Sequence, residues 1–144
     1  MIVTEIVPSH IVPFPADDSR RNDGSEIVFN GRVRSTEHGA PILALEYEHY
    51  EGMAETELNR LAEKTVSKFS IHDLFCRHRV GQIGVGEVSL HIVIWSKHRK
   101  EGLDAMTWFI AELKNMYRSG NGHYSLLVNG SPANVSIQSI NRRK

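Results

Sequence analysis

The chain has 144 residues, of which 40% are hydrophobic and 24% are charged, and its formal net charge at pH 7 is zero. This composition is typical of one globular domain with its own core, and it excludes a disordered tail. The chain also lacks the strong positive charge of most nucleic-acid-binding proteins. No apolar run is long enough to span a membrane and the N-terminus lacks the basic segment of a signal peptide, so we expect a cytoplasmic protein.

The first half of the chain predicts two strands and a helix. Residues 25–34 alternate between apolar and polar side chains, which is the period of a strand. A turn at residues 35–41 leads to a second strand at residues 42–50. Residues 51–69 carry apolar side chains at helical spacing, with acids early and lysines late, as the helix dipole favours. The predicted inner stripe of this helix consists of Ala54, Leu58, Leu61, Thr65 and Phe69.

The second half predicts two more strands and a second helix. The strands occupy residues 72–80 and 87–95. The glycines between them do not have the spacing of a dinucleotide-binding loop, and a strand follows them, so we interpret them as turn glycines. The helix spans residues 98–117, and its apolar stripe consists of Leu103, Met106, Ile110, Leu113 and Tyr117. The fold class is therefore α+β, with a mixed or antiparallel sheet and two main helices.

The C-terminal region has a different character. From Asn115 onward there is no acidic residue. Residues 124–128 are compatible with a short strand, and we expect the rest of the tail to be loosely held. We predict that residues 1–144 form a single domain, with residues 118–144 as a divergent tail.

Cysteine and histidine usage argues against a metal site. The single cysteine, Cys76, rules out an internal disulfide and a cysteine-rich zinc site. It alternates with Leu74 and His78 in a predicted strand, so we expect it to be a buried core residue. The eight histidines contain no close i, i+4 pair. We therefore predict no metal site.

The start of the second helix predicts an anion site. Lys97, His98, Arg99 and Lys100 place cations where the helix dipole favours acids. A strand end followed by a helix N-terminus offers unpaired N–H groups, and cations beside them suit an anion. The alternative interpretation is a solvated basic turn that tolerates a small electrostatic cost.

Three further cations are candidates. Arg32 and Arg34 project from the same side of the first predicted strand, as surface residues or as a second part of an anion site. Lys114 lies beside the apolar stripe of the second helix. A lysine in that position either keeps its ammonium group in water or, if desolvated, serves as a nucleophile or an acid–base group.

Several motifs, taken together and in order, resemble the catalytic large subunit of molybdopterin synthase. The resemblance runs from about Ser25 to about Lys114. The motifs are Gly31-Arg32-Val33-Arg34, Leu45-Glu46-Tyr47-Glu48-His49-Tyr50 with Gly52-Met53-Ala54-Glu55, His78-Arg79-Val80-Gly81 with Gly86-Glu87, His98-Arg99, and Glu112-Leu113-Lys114.

This resemblance implies an α/β hammerhead-type fold and a sulfurtransferase activity. Proteins of this family form a homodimer at the centre of a heterotetramer, with a small ubiquitin-like sulfur carrier on each outer end. The carrier's C-terminal Gly-Gly tail arrives as a thiocarboxylate, and its sulfur is transferred to cyclic pyranopterin monophosphate to form molybdopterin. The family consumes no metal and no organic cofactor at this step.

The resemblance also implies roles for individual residues. Arg32, Val33 and Arg34 match the family's basic strand motif, and His98 and Arg99 match its helix-start pair, so all five are expected to bind substrate. Lys114 matches the first of two active-site lysines and is expected to be catalytic as well as substrate-binding.

One position departs from the family. By ungapped count the second active-site lysine falls at Asn121, and an amide supplies neither a positive charge nor a titratable amine. Two hypotheses follow: a sulfurtransferase, and a non-catalytic paralogue that binds the sulfur carrier or the pterin without turnover.

Overall fold

The structure, a computed structural model, describes residues 1–37, 39–49, 51–117, 122–128 and 131–135. Within these residues the elements follow one another in a mixed α and β order. They are β1 (Ile2–Val7), β2 (Ser25–Arg32), β3 (Thr36–Glu37), β4 (Ala40–Pro41), β5 (Ala44–His49), α1 (Met53–Lys68), β6 (Asp73–Arg79), β7 (Gly81–Gly84), β8 (Val88–Ser96), α2 (Arg99–Met116), β9 (Gly122–Val128) and β10 (Ser131–Val135).

Two four-stranded sheets organise the described chain. The first has the order β1-β6-β8-β2, with β1 parallel to β6 and the other neighbours antiparallel. The second has the order β10-β9-β5-β7 and is antiparallel throughout. The short strands β3 and β4 pair with each other. The predicted α+β class, a mixed sheet with two main helices, is confirmed.

Both helices pack on the first sheet and bury the stripes that face it. Helix α1 contacts β1 and β6, whereas α2 lies over β2 and β8. The described chain contains no helix that combines the length and apolar character needed to cross a bilayer. The buried helical residues are Ala54, Leu58, Leu61, Ala62 and Thr65 of α1 and Gly102, Ala105, Met106, Phe109 and Leu113 of α2.

The opposite face of the first sheet is covered by the segment between β1 and β2. The Phe14 ring packs edge-on against Phe75 and Trp95, at centroid distances of 4.8 and 5.0 Å. The Phe14 N–H donates to Nε2 of the buried His91, at 3.1 Å. The Arg20 guanidinium lies 3.8 Å from the Trp95 ring centroid. Apolar packing and directed hydrogen bonds thus hold a segment that has no regular secondary structure.

The structure corrects several sequence predictions. Residues 2–7 form β1, which the sequence pattern does not predict, because Glu5, Pro8 and Pro13 interrupt the apolar run. Residues 81–84 form strand β7 and not a loop, since they pair with β5. Residues 122–127 pair with β5 and residues 124–128 pair with β10, so the strand compatible with residues 124–128 begins two residues earlier than expected. Leu103, predicted to be in the core, is 48% exposed.

Gly102 explains how closely α2 approaches the sheet. A Cβ at this position would lie 2.9 Å from Ser96 Oγ and 3.1 Å from Ile27 Cγ1. The Ser96 hydroxyl is held in place because it donates to the His98 carbonyl at 2.6 Å. A glycine inside a helix lowers helix stability, but here it permits a helix–sheet contact that a side chain would block.

We predict that Gly102→Ala destabilises the protein by about 1–3 kcal/mol, because overpacking against Ser96 and Ile27 outweighs the better helix propensity of alanine. Urea unfolding measures the change. Combining it with Ser96→Ala removes the nearest atom and is expected to recover part of the loss. A more stable Gly102→Ala variant would contradict the proposed contact.

Candidate functional site

The predicted anion site is an open cleft at the start of α2. Helix α2 begins at Arg99, and only two residues separate it from the end of β8 at Ser96. The cleft has a volume of about 740 Å³. Its lining residues come from the start of β2 and from the β8–α2 connection: Gly24, Ser25, Glu26, Lys97, His98, Arg99 and Lys100.

Gly24 lies where the two segments that line the cleft come closest to each other. A Cβ on residue 24 would lie 2.4 Å from the Lys97 carbonyl oxygen, so only glycine lets the two segments meet. Residue 24 thereby connects the start of β2 to the basic turn. The side chains of Lys97, His98, Arg99 and Lys100 are all exposed above this contact.

The electrostatics of the cleft favour a ligand with negative charge. Lys100 bonds Asp104 at 2.6 Å, and this hydrogen bond raises the Lys100 pKa. Within the described residues, no carboxylate lies within ion-pair distance of Lys97 or Arg99. The first N–H groups of α2 also lie here, and the His98 side chain does not cap them. Cations and N–H donors at one place can bind a phosphate or a carboxylate.

Arg32 and Arg34 lie at the opposite end of β2. Both are exposed, as the strand pattern predicted. Arg32 Nη1 donates to the Gly86 carbonyl at 2.7 Å, and Arg34 Nη2 donates to Glu37 Oε1 at 2.9 Å. Each guanidinium keeps further N–H groups that these contacts do not use.

Val33 lies between the two arginines, and its side chain points into the core. Its side chain is 4% exposed and belongs to the main core. Its N–H donates to the Glu87 carbonyl at 3.1 Å, and its own carbonyl accepts from the Gly86 N–H at 2.8 Å. The Val33 side chain therefore holds this part of the chain in place, and the substrate contact expected from the sequence stays a prediction.

Lys114 lies at the same end of the sheet as Arg32 and Arg34. It is exposed in the last turn of α2, one turn before Tyr117. The Tyr117 ring contacts His78 at a centroid distance of 5.2 Å. Because His78 pairs with Leu90 and Leu90 pairs with Gly31, this contact places the end of α2 level with the end of β2.

Within one chain, the predicted site residues therefore form two separate groups. Arg99 and Lys114 are fifteen residues apart on one helix, which corresponds to roughly 22 Å along its axis. His98 and Arg99 lie at one end of the sheet, whereas Arg32, Arg34 and Lys114 lie at the other. Each group is basic, but a single chain does not bring the two groups together.

A buried aromatic cluster supports the Lys114 end. The rings of Tyr47, His78 and Tyr117 lie 4.6–5.4 Å apart. Burial lowers the pKa of His78 to about 3, and the nearby charge of His49 adds to this shift. Burial raises the Tyr117 pKa, while a hydrogen bond with Tyr47 opposes that shift. Sequence reasoning placed His78 in a strand but missed the cluster, since its three members come from distant elements.

A second pair, His49 and Glu55, lies next to this cluster. His49 Nε2 lies 3.2 Å from Glu55 Oε1, and the other carboxylate oxygen accepts from the Gly52 N–H at 2.6 Å. Gly52 has a φ of 80°, a conformation that favours glycine. The pair thus ties the end of β5 to the start of α1.

The surroundings of Cys76 and Arg79 give both residues a structural role. Cys76 is fully buried, as predicted, and burial raises its pKa, so its thiol is not activated. Arg79 is also buried and pairs with Glu87, whose pKa this contact lowers. Within the described residues, no group of three His, Cys, Asp or Glu side chains is arranged to hold a metal ion.

Comparison with known proteins identifies a consistent set of relatives. The family model described as "MoaE protein" matches residues 8–116. The molybdopterin synthase catalytic subunit of Pyrococcus abyssi is 34% identical over 96 residues, which cover 67% of this chain and 65% of the relative. That of Arabidopsis thaliana is 38% identical over 63% of this chain and 46% of the relative. That of Thermoplasma volcanium is 33% identical over 73% of this chain and 83% of the relative.

The first two matches span about half to two thirds of the relatives' own lengths. Solved structures show the same fold at lower identity. Molybdopterin synthase from Staphylococcus aureus aligns with a TM-score of 0.76 at 24% identity, over 89% of this chain and 93% of that one. A complex of subunits 1 and 2 of the molybdopterin-converting factor from Helicobacter pylori aligns with a TM-score of 0.69 at 20% identity, over 92% and 89%.

We predict that Arg99→Ala weakens phosphate binding to the cleft by about 1.5–3 kcal/mol, because one charge-assisted hydrogen bond is lost. Titration calorimetry with inorganic phosphate measures the loss. Arg60→Ala is the matched control, since Arg60 is an exposed arginine that pairs with Glu57 on α1. Equal affinities of wild type and Arg99→Ala would mean that the basic turn is only solvated.

We also predict that His78 makes the protein less stable in acid. Its folded pKa of about 3 is below the ordinary value of about 6.5. The unfolded state therefore takes up the proton first, and stability falls as the pH decreases from about 6.5 towards 3. In urea unfolding at several pH values, His78→Phe should flatten this slope. His10→Gln, which changes an exposed imidazole, should leave it as steep as in wild type.

Proposed function

The chain belongs to the MoaE protein family, and on this premise we propose that it is the catalytic large subunit of a molybdopterin synthase. The proposed reaction transfers sulfur from a thiocarboxylated carrier protein to cyclic pyranopterin monophosphate, which yields the dithiolene of molybdopterin. It consumes no metal and no organic cofactor. The proposed location is the cytoplasm.

The cleft at the start of α2 is the observation that carries this proposal. A pyranopterin monophosphate brings a phosphate, and the cleft offers His98, Arg99 and the first N–H groups of a helix. The proposed role of His98 and Arg99 is to bind that phosphate. This role explains why cations occupy a position where the helix dipole favours acids.

The proposed protein partner is a small sulfur-carrier subunit. The Helicobacter pylori structure contains subunits 1 and 2 of its molybdopterin-converting factor, and this chain shares the fold. We place the carrier's C-terminal thiocarboxylate at the end that holds Arg32, Arg34 and Lys114. Negative charge develops on the acyl group during sulfur transfer, and the Lys114 ammonium is suited to stabilise it or to exchange a proton with it.

Transfer between the two ends of the sheet requires them to meet. Because roughly 22 Å separates Arg99 from Lys114 within one helix, a single chain cannot place both groups on one small substrate. We therefore propose a homodimer in which each site takes His98 and Arg99 from one copy and Arg32, Arg34 and Lys114 from the other. With one carrier on each outer end, the assembly is a heterotetramer.

Asn121 supports a second candidate function. This residue lies outside the described part of the chain, at the position where the family's second active-site lysine is expected. Without that amine, the same fold would serve as a binding module that holds the carrier or the pterin without turnover. Lys114 and the two basic ends support the enzyme; Asn121 supports the binding module.

We expect the purified chain, incubated with thiocarboxylated carrier and cyclic pyranopterin monophosphate, to produce the dithiolene. Lys114→Ala should abolish this product and leave the fold intact, because Lys114 is exposed. Lys64→Ala, which removes an exposed lysine of α1, is the control and should keep full activity. Full turnover by Lys114→Ala would exclude the catalytic role, and tight carrier binding by an inactive wild type would establish the binding module.

A further inference from the structure

A carboxylate lies among the cations of the cleft at the start of α2. Glu26, the second residue of β2, lines this cleft together with Lys97, His98, Arg99 and Lys100. Its side chain is exposed, and within the described residues it forms no ion pair with any of these cations. A negative charge here repels the anions that the cations attract, so it lowers the affinity of the cleft for a simple phosphate. A carboxylate in this position suits a ligand that also offers hydrogen-bond donors.

The tryptophan opposite Glu26 on β8 orients this carboxylate. Glu26 pairs with Trp95 in the β2–β8 ladder, and the Trp95 indole Nε1–H donates to Glu26 Oε1 at 2.6 Å. Among the residues that the structure describes, no group donates to the other oxygen, Oε2. Because a carboxylate has about four acceptor positions, Glu26 can still accept two parallel donors from a ligand.

The segment between β1 and β2 holds Trp95 in place. Trp95 is 1% exposed, and the Arg20 guanidinium lies 3.8 Å from its ring centroid. Arg20 Nη1 in turn donates to Asp23 Oδ2 at 2.7 Å and to Asp73 Oδ2 at 2.8 Å. The indole N–H, and with it the Glu26 carboxylate, is therefore fixed before any ligand arrives. An acceptor that is already ordered loses less conformational entropy on binding.

We propose that Glu26 selects the ligand of the cleft by accepting hydrogen bonds from the aminopyrimidinone edge of a pterin whose phosphate is bound by His98 and Arg99. This inference rests on the proposed function, which supplies the pterin. The edge carries a ring N–H and an exocyclic amino group that point in the same direction, and two parallel donors match the two oxygens of a carboxylate. Glu26 is thus a specificity-determining residue, and Trp95 is a positioning residue.

The distance between Glu26 and the phosphate-binding residues suits such a ligand. Neighbouring antiparallel strands place the Cα atoms of Glu26 and Trp95 about 5 Å apart. Trp95 precedes His98 by three residues, a length of chain that spans at most roughly 10 Å. A fused tricyclic ligand with a phosphate at one end can reach both Glu26 and His98, whereas inorganic phosphate contacts only the cations. The cleft, at about 740 Å³, has room for the larger ligand.

One conservative substitution and two ligands test the proposal without turnover. Glu26→Gln keeps an oxygen acceptor for the Trp95 N–H but places an amide NH₂ towards the donors of the ligand. In titration calorimetry without carrier, we expect it to bind cyclic pyranopterin monophosphate about tenfold more weakly than wild type. It should bind inorganic phosphate as tightly as wild type, or up to about threefold more tightly, because a repelling charge is gone. Glu63→Gln, which changes an exposed glutamate on α1, is the control and should alter neither affinity.

A matched ligand identifies the edge that Glu26 contacts. An analogue with an oxygen in place of the 2-amino group, a lumazine in place of the pterin, lacks one of the two donors. Wild type should bind this analogue about tenfold more weakly than the pterin, whereas Glu26→Gln should bind the two about equally. Trp95→Phe, which keeps a ring but loses the N–H, should weaken pterin binding about threefold and leave phosphate binding unchanged. A purely structural role of Trp95 would weaken the binding of both ligands alike.

The possible outcomes separate this inference from the proposed function. Tighter binding of both pterin and phosphate by Glu26→Gln would mean that Glu26 only repels anions, and an equal loss of both would mean that it only shapes the cleft. Either result, with dithiolene formed by the wild type, overturns the inference and preserves the enzyme. Selective loss of the pterin in a protein that makes no dithiolene preserves the inference and rejects the enzyme. A wild type that binds phosphate but no pterin rejects both.

Discussion

The two-residue connection between β8 and α2 determines where the candidate residues of α2 lie relative to those of β2. Lys97 and His98 are the only residues between Ser96 and Arg99, so α2 must turn back at once over the strand that precedes it. Gly24 and Gly102 allow this return, because any side chain there would collide with Lys97 or Ser96. The helix N-terminus is therefore fixed beside the start of β2, and its C-terminus beside the end of β2.

The two ends of α2 have different physical environments. At the N-terminal end, cations stand in solvent around unpaired N–H groups, an arrangement that is complete only when an anion binds. At the C-terminal end, Lys114 is exposed, while Tyr117 in the next turn is buried against Tyr47 and His78. His78 stays neutral because burial disfavours its charged form. One end of α2 thus presents exposed cations and N–H donors, and the other carries an exposed lysine beside a buried aromatic cluster.

The position of the basic residues at opposite ends of one helix has a consequence for the proposed assembly. Each half alone costs little, since exposed cations are only weakly destabilising. In the proposed homodimer their positive fields combine where the two copies meet, and substrate binding and association would then support each other. Val33 contributes to this arrangement indirectly, because its buried side chain and its two backbone hydrogen bonds keep Arg32 and Arg34 outside the core.

The sequence by itself determined the elements with strong periodicity. The alternation in residues 25–32, the stripes of both helices and the burial of Cys76 follow from local patterns that the tertiary structure preserved. The motifs between Ser25 and Lys114 also determined the family, since their order along the chain is independent of how it folds.

Tertiary structure alone decided what depends on distant partners. Strand β1 exists because β6 offers it a parallel edge, and β7 exists because it pairs with β5. Leu103 belongs to a helical stripe by spacing, yet it is exposed in the folded protein. The separation of His98 and Arg99 from Arg32, Arg34 and Lys114 was likewise invisible in the sequence. The spacing of residues along the chain shows which side chains share one face of a helix or strand. The direction in which a helix crosses a sheet decides which residues lie at the same end of that sheet.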